Sequence, residues 1–289
     1  MLAARAVVQS LEQSLIGARN ADGGWAYHRG KSSRLEATCW ALLALGARAA
    51  NPTVLENWPQ ADGLLLERRG GTTNYAFHAL AILTLNALHL THDHGNSTMV
   101  GALQRVGGQT LPPSKINRQD NSLQGWSWIA GTFSWVEPTA WCLLALKQSA
   151  RAGGISVDTG RIGIAERLLV DRCCKQGGWN YGNSNMLGQD LTPFVPPTAL
   201  ALLAMRDRRT LPEVERSIDF LERAAVTEAS GTALSLAYIA LSLLGRPISV
   251  VRDALVGQIP TTLAFGNQMA AAMCLYALRA EEGHEAFAL

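Results

Sequence analysis

The sequence has no apolar run long enough to cross a bilayer. A membrane-spanning helix needs ~20 predominantly apolar residues. The best stretches, 232–244 and 262–278, are short or broken by Asn267-Gln268. It also has little charge: 17% of residues, with 25 Lys and Arg against 23 Asp and Glu. A net charge of +2 leaves no electrostatic footprint for nucleic acid and no acidic tail. Cysteine is scarce and odd in number, as Cys39, Cys142, Cys173, Cys174 and Cys274. Three of the five lie in apolar runs, which excludes a disulfide framework and suits a reducing, cytoplasmic setting. The first fifteen residues, MLAARAVVQSLEQSL, have an amphipathic pattern without the apolar core of a signal peptide. Low-complexity segments and a domain linker are absent too, so residues 1–289 read as one domain.

What remains is a chain with 48% hydrophobic residues and an internal repeat. Its centre is Gln124–Leu146, a Gly125-Trp126 turn followed by an apolar helix opening at Pro138-Thr139. Proline suits a first helical turn, where its missing N–H would be unpaired anyway. The helix recurs as TCWALLAL from Thr38, TNYAFHAL from Thr73, TAWCLLAL from Thr139, TALALLAM from Thr198 and TALSLAYIAL from Thr232. A degenerate sixth copy, QMAAAMCLYAL, begins at Gln268. Each copy is preceded by a more polar segment with helical periodicity, at 4–18, 52–68, 97–106, 159–173, 212–226 and 247–258. Arg161, Glu166, Arg167 and Arg172 mark the expected wet face of one of them. A polar-faced helix beside an apolar one predicts that the apolar helix lies inside. Six such hairpins predict an all-α, closed (α/α)6 toroid. The irregular linkers 20–34, 107–136 and 176–197 should gather where the inner helices begin.

Asp22–Trp25 (DGGW), Gln124–Trp126 (QGW) and Gln176–Trp179 (QGGW) resemble the Gln-Trp motifs of the squalene cyclase and protein prenyltransferase repeat families. The Thr-Ala-x-x-Leu-x-Ala-Leu helices are similar to the same families, over about residues 1–281. The resemblance implies the toroid and a terpenoid-cyclase-like protein that acts on or binds an isoprenoid or other apolar ligand, in the isomerase style. It also implies that Trp25, Trp126 and Trp179 pack their turns against a helix end. Cyclases of the second class carry Asp-x-Asp-Asp-Thr-Ala at an inner-helix start. Here the matching stretch is Trp135-Val136-Glu137-Pro138-Thr139-Ala140, which keeps one carboxylate, Glu137. Zinc prenyltransferases carry Asp-x-Cys at an inner-helix start; Asp171-Arg172-Cys173 has that spelling but ends an outer segment. The thioester signature Cys-Gly-Glu-Gln is missing.

Three acids are the catalytic candidates: Glu137, Glu36 at the equivalent place in the first copy, and Asp190 in the third linker. Either Glu could equally be a favourable charge at a helix N-terminus. Candidate ligand contacts are Trp135, Trp141, Trp128, Tyr181, Tyr75, His78, Asn267 and Gln268. Aromatic faces would stabilise a developing cation, and Tyr75 and His78 share a helix face. His78 could also be a hydrogen-bonded core histidine, and Asn267-Gln268 a helix cap. His89, His92, Asp93 and His94 have a spacing that could bind metal. The expectation nevertheless is no metal and no cofactor, with an apolar small molecule as partner, no nucleic acid and room for peripheral membrane contact. A non-catalytic toroid that binds a hydrophobic ligand or a protein is the alternative, and a zinc prenyltransferase β-like subunit the third reading.

Overall fold

The computed structural model describes residues 2–49, 51–90, 93–116, 118–279 and 284–289. Along these residues the helices are α1 (Leu2–Ile16), α2 (Leu35–Leu45), α3 (Tyr75–Ala87), α4 (Asp93–Arg105), α5 (Val136–Ala152), α6 (Thr159–Asp171), α7 (Val195–Ala204), α8 (Pro212–Ala225), α9 (Gly231–Leu243), α10 (Ser249–Phe265) and α11 (Gln268–Leu278). Two short antiparallel hairpins supply the strands: β1 (Gln60–Ala61) with β2 (Leu64–Leu65), and β3 (Asn185–Met186) with β4 (Gln189–Asp190). None of the described helices is long and apolar enough to cross a membrane.

The apolar copies form the inner ring. In ring order α2, α3, α5, α7, α9 and α11 each pack on two neighbours, and α11 closes onto α2. In α7 and α9 nearly every residue is buried, whereas outer helix α8 buries only Val214, Ser217, Ile218, Leu221 and Ala225. That spacing is the single apolar stripe of an amphipathic helix.

The repeat threonines act through their hydroxyls. Thr38, Thr139 and Thr198 each stand four residues into an inner helix and are fully buried. Their Oγ1 atoms accept the backbone N–H of Trp25, Trp126 and Trp179 at 2.9, 3.0 and 2.8 Å. Each hydroxyl donates back to the carbonyl of the same tryptophan. The indole N–H of each Trp then donates to a carbonyl of the preceding outer helix or its edge: Leu15, Leu103 and Leu169. A helix C-terminus leaves such carbonyls without intrahelical partners. The glycine before the tryptophan is required by this contact, since a Cβ on Gly125 would stand 2.2 Å from Thr139 Oγ1. Arg161 lies over the Trp126 ring at 3.7 Å and donates to the carbonyls of Gln124 and Gly125.

Three expectations are corrected. The segment 52–68 is not a helix: it is a 3₁₀ turn, Pro52–Leu55, followed by the β1–β2 hairpin. Asp62 and Gly63 both have positive φ, the signature of a tight hairpin turn, and Pro59 blocks helix continuation. Arg161 and Arg172 are buried under the linkers, not on a wet face. Finally, the second copy is out of register. His78, not Thr73, takes the place of the repeat threonine, four residues into α3. Its Nδ1 accepts the N–H of Leu65, as Thr Oγ1 accepts that of Trp elsewhere.

Candidate functional site

The turns place one end of the ring. The first N–H of α2, α3, α5 and α11 donates to the carbonyl of Glu67, Trp128, Tyr181 and Tyr27, each on the linker of the next unit around the ring. Four linkers therefore converge on the N-terminal mouth of the inner helices, as their length and composition predict.

Glu36 and Glu137 occupy the same place there, the second residue of α2 and of α5. Both carboxyls are half-buried, deeply surrounded by protein yet still reachable by solvent. Burial pushes each pKa up from 4.5 to about 7. The charge of Glu36 raises Glu137 further, so the two sense each other across the mouth. Glu36 is also raised by Glu67, although Tyr27 Oη donates to Glu36 Oε2 at 2.6 Å and works the other way. Glu67 is itself paired with Arg34 at 2.6 Å. The helix dipole favours ionisation by ~0.3–1 kcal/mol, under one pKa unit. Desolvation is the larger effect, and both carboxyls are partly protonated at neutral pH. The Tyr27 hydroxyl, half-buried beside Glu36, has its pKa raised by desolvation and by the Glu36 charge.

The other candidates divide. Trp135 is the residue before α5 and packs against Phe133 with ring centroids 5.9 Å apart. Tyr181 is exposed, lies against Phe194 and has its pKa raised by burial and by Glu137, so it borders the mouth. Trp128 packs edge-on against Phe77. Tyr75 is buried at the start of α3. His78 points away from the mouth, toward β2 and α4. It is fully buried, its Nδ1 accepts from Leu65, and its Nε2 meets the Met99 carbonyl at 3.1 Å. Its burial lowers the pKa to about 4, so it is a neutral clamp between β2 and α4. Asp190 is exposed on β4, held by Asn185 and Lys175, and its pKa is lowered by those partners. It is a surface carboxylate whose partners outweigh its slight desolvation. Asn267 caps α11 by accepting the Ala270 N–H. Gln268 faces a cavity toward α1 and α10. Asp171 pairs with Arg172 and accepts from Asp120, and Cys173 meets Ser217, so the Asp-x-Cys spelling is engaged elsewhere. Of the histidine cluster, His92 and the side chains of Asp93 and His94 lie outside the described residues. Among the described residues no three His, Cys, Asp or Glu side chains gather as for a metal ion.

One feature has no counterpart among the sequence candidates. At the C-terminal end of the inner helices, the segment Glu285–Phe287 enters the ring. Phe287 is fully buried, with its ring 5.5, 5.6 and 5.4 Å from Trp40, Trp141 and Tyr276. Gln148 Nε2 donates to the carbonyls of Ala286 and Ala288 at 2.9 and 2.8 Å, and Arg206 donates to Leu289. Trp141 is thus part of a packed aromatic stack. An ordinary Glu-Ala-Phe triplet seven residues beyond the last repeat carries no periodic signal by which it could have been found.

The same toroid occurs in solved structures. A protein from Actinoplanes has a TM-score of 0.62 at 15% identity, covering 96% of this chain and 99% of that one. The apo structure of type II terpene cyclase MstE from Scytonema has a TM-score of 0.59 at 14% identity, covering 97% and 98%. A variant of the same cyclase in complex with merosterolic acid A (product) has a TM-score of 0.61 at 15% identity, covering 96% of each chain. At these identities the likeness shows a terpenoid-cyclase-like fold alone. No family model and no curated protein matches the chain.

Proposed function

We propose that residues 1–289 work as one toroidal domain that binds an isoprenoid-like molecule with an oxygen-bearing end, entering by the N-terminal mouth. The observation that carries this is the pair of desolvated carboxyls, Glu36 and Glu137, on equivalent first turns facing one mouth. A protonated carboxyl there can donate to an ether, alcohol or carbonyl oxygen. With a pKa of about 7 it is too weak an acid for an unactivated alkene, and no neighbouring acid strengthens it. It suits an oxygen, which is far more basic, and a working acid is best placed with its pKa near the operating pH. In this reading Glu137 is the acid, Glu36 and Tyr27 hold its field, and Trp135 and Tyr181 flank the apolar part of the ligand. The solved cyclase with a terpenoid product supports the ligand class by fold analogy only.

A second reading, a non-catalytic binding toroid, is favoured by the aromatic stack around Phe287, which fills the C-terminal half of the ring. Lipid extraction and mass spectrometry of the purified protein test the ligand class, and incubation with epoxidised and alcohol-bearing isoprenoids tests turnover. Product formed by the wild type and lost in Glu137→Gln supports the acid role. A bound isoprenoid without turnover leaves the binding reading. Absence of isoprenoid binding in either experiment rejects both.

A further inference from the structure

Among the described residues, the large apolar side chains left in solvent are gathered at one end of the molecule. All but Val250 stand at the N-terminal end of the ring, on the linkers or at the end of an outer helix. Ile16, Phe133, Phe194, Val226 and Phe265 come from units all around the rim. Val250 lies at the opposite end, in the first turn of α10. Leu187 is the clearest case. It is 75% exposed and holds a φ of 51° at the tip of the β3–β4 hairpin, followed by Gly188 at 77°. Two residues of positive φ make the tight turn that twisted strands prefer, with Asn, Asp or Gly the ordinary first residue. A bulky side chain there is strained. Packing does not repay the strain, because the side chain projects into solvent. The turn is nevertheless anchored, since the Leu187 N–H donates to the Ile116 carbonyl of the third linker. A strained, exposed leucine on an anchored turn is a side chain presented outward, and strain of this kind clusters at functional surfaces.

Charge separates the two ends as well. Around the C-terminal end, Arg48, Lys147, Arg208, Arg246 and Arg279 each pair with an acid. Around the mouth, Arg34 pairs with Glu67 and Lys175 with Asp190. Arg29, Lys31, Arg68, Arg69 and Lys115 are exposed there, and none of them forms an ion pair among the described residues. The mouth linkers hold more Lys and Arg than Asp and Glu. Exposed apolar side chains within a basic rim fit an anionic, apolar partner. A second copy of the chain fits poorly, because two such faces would set unpaired cations against each other. The apolar residues also stand on separate linkers. A fluid apolar phase meets such scattered side chains, whereas a rigid protein would have to match each one. We propose that the mouth face docks on the surface of a bilayer containing anionic lipid, with Leu187, Phe133, Phe194 and Phe265 seated at the headgroup boundary and the basic side chains on the headgroups. The docking stands independently of the isoprenoid reading.

The test is flotation of the full chain with two sets of vesicles. One is phosphatidylcholine alone, and the other is roughly three parts phosphatidylcholine to one of phosphatidylserine. The chain should bind the anionic set about tenfold more tightly or better, and the difference should shrink as salt screens the headgroups. Leu187→Asn suits a left-handed backbone and adds no charge, and Phe265→Asn alters an exposed helix end. Each should weaken binding about fivefold or more. Val250→Asn, an equal change at the opposite end, should leave binding as it was. Replacing Arg68 and Arg69 together by Gln should lower binding to the anionic set about tenfold or more and leave the neutral set unmoved. Melting temperatures show that the variants are folded, and if one of them is not, the others carry the test. Three results would overturn the proposal: no binding to anionic vesicles, equal losses in Val250→Asn and Leu187→Asn, or a dimer in sedimentation that Leu187→Asn dissociates while vesicle binding is absent.

Discussion

The two ends of the ring are built from the same six helices and solve opposite problems. At the N-terminal mouth, the units turn their polar groups on neighbours: in three of them Thr on Trp and Trp on an outer helix, in four a first-turn N–H on the next linker. That lattice leaves two carboxyls, Glu36 and Glu137, with too little solvent to stay fully ionised. At the C-terminal end, the chain fills the ring with Phe287 against Trp40, Trp141 and Tyr276. The buried Lys147 there is answered by Glu166 at 2.8 Å, Asp207 at 2.6 Å and the Ala204 carbonyl at 2.8 Å. The C-terminal end answers its buried charge, though it leaves the Tyr276 hydroxyl unpaired; the mouth keeps an electrostatic cost on two carboxyls. Unrelieved cost of that kind clusters at functional sites, so the difference directs attention to the mouth.

Breaking the satisfied end should have the largest effect. Phe287→Ala removes a fully buried ring and should cost ~3–5 kcal/mol in urea unfolding, with no change in the titration of Glu137. Lys147→Met should cost ~3 kcal/mol or more by the same measurement, because Asp207 and Glu166 are left without their shared cation. At the mouth, Thr139→Val should cost ~1–3 kcal/mol, since the buried Trp126 N–H loses its partner, while the Trp126 carbonyl keeps the Trp135 N–H. It should also disturb Glu137, two residues away, which Lys147→Met should not.

How much of this could be read from the sequence follows from which residues repeat. Thr38, Thr139 and Thr198 were legible because one hydroxyl serves both backbone groups of a tryptophan, so Gly-Trp and Thr recur together. The second unit was misread because His78 does the same job with a ring nitrogen, and Thr73 stood by as a decoy. The 52–68 helix failed because Asp62-Gly63 and Pro59 outweighed the apolar spacing. Of the site, the equivalence of Glu36 and Glu137 was visible from their places before the repeat threonines. Their environment was not, since Tyr27 and Glu67 come from linkers. Asp190 was a linker acid near an inner-helix start, and it sits in solvent on β4, paired with Asn185 across the hairpin.

The smallest effect is the sharpest discriminator. The folded-state pKa of Glu137 is about 7, above the ordinary 4.5. The folded protein therefore holds more proton than the unfolded chain between those values, and stability contributed by Glu137 is lost as pH rises through that window. Glu137→Gln should match the wild type near pH 4.5 and be more stable by ~1–3 kcal/mol above pH 8. A helix-mouth charge that stabilises its helix would give the opposite sign. His78 runs the other way: its pKa is depressed to about 4, so its contribution is lost as pH falls from 6.5 toward 4. The wild-type profile alone mixes the two, and the comparison of Glu137→Gln with wild type separates them.

The central claim is that the mouth holds two carboxyls protonated near neutral pH. Its most direct measurement is an NMR titration of the glutamate side-chain carboxyl carbons, assigned with Glu36→Gln and Glu137→Gln. The account predicts two glutamates titrating with midpoints near 7, each moving to lower pH when the other is replaced, because removal of one charge eases ionisation of its neighbour. Midpoints near 4.5 for both, unchanged by the partner substitution, would contradict it.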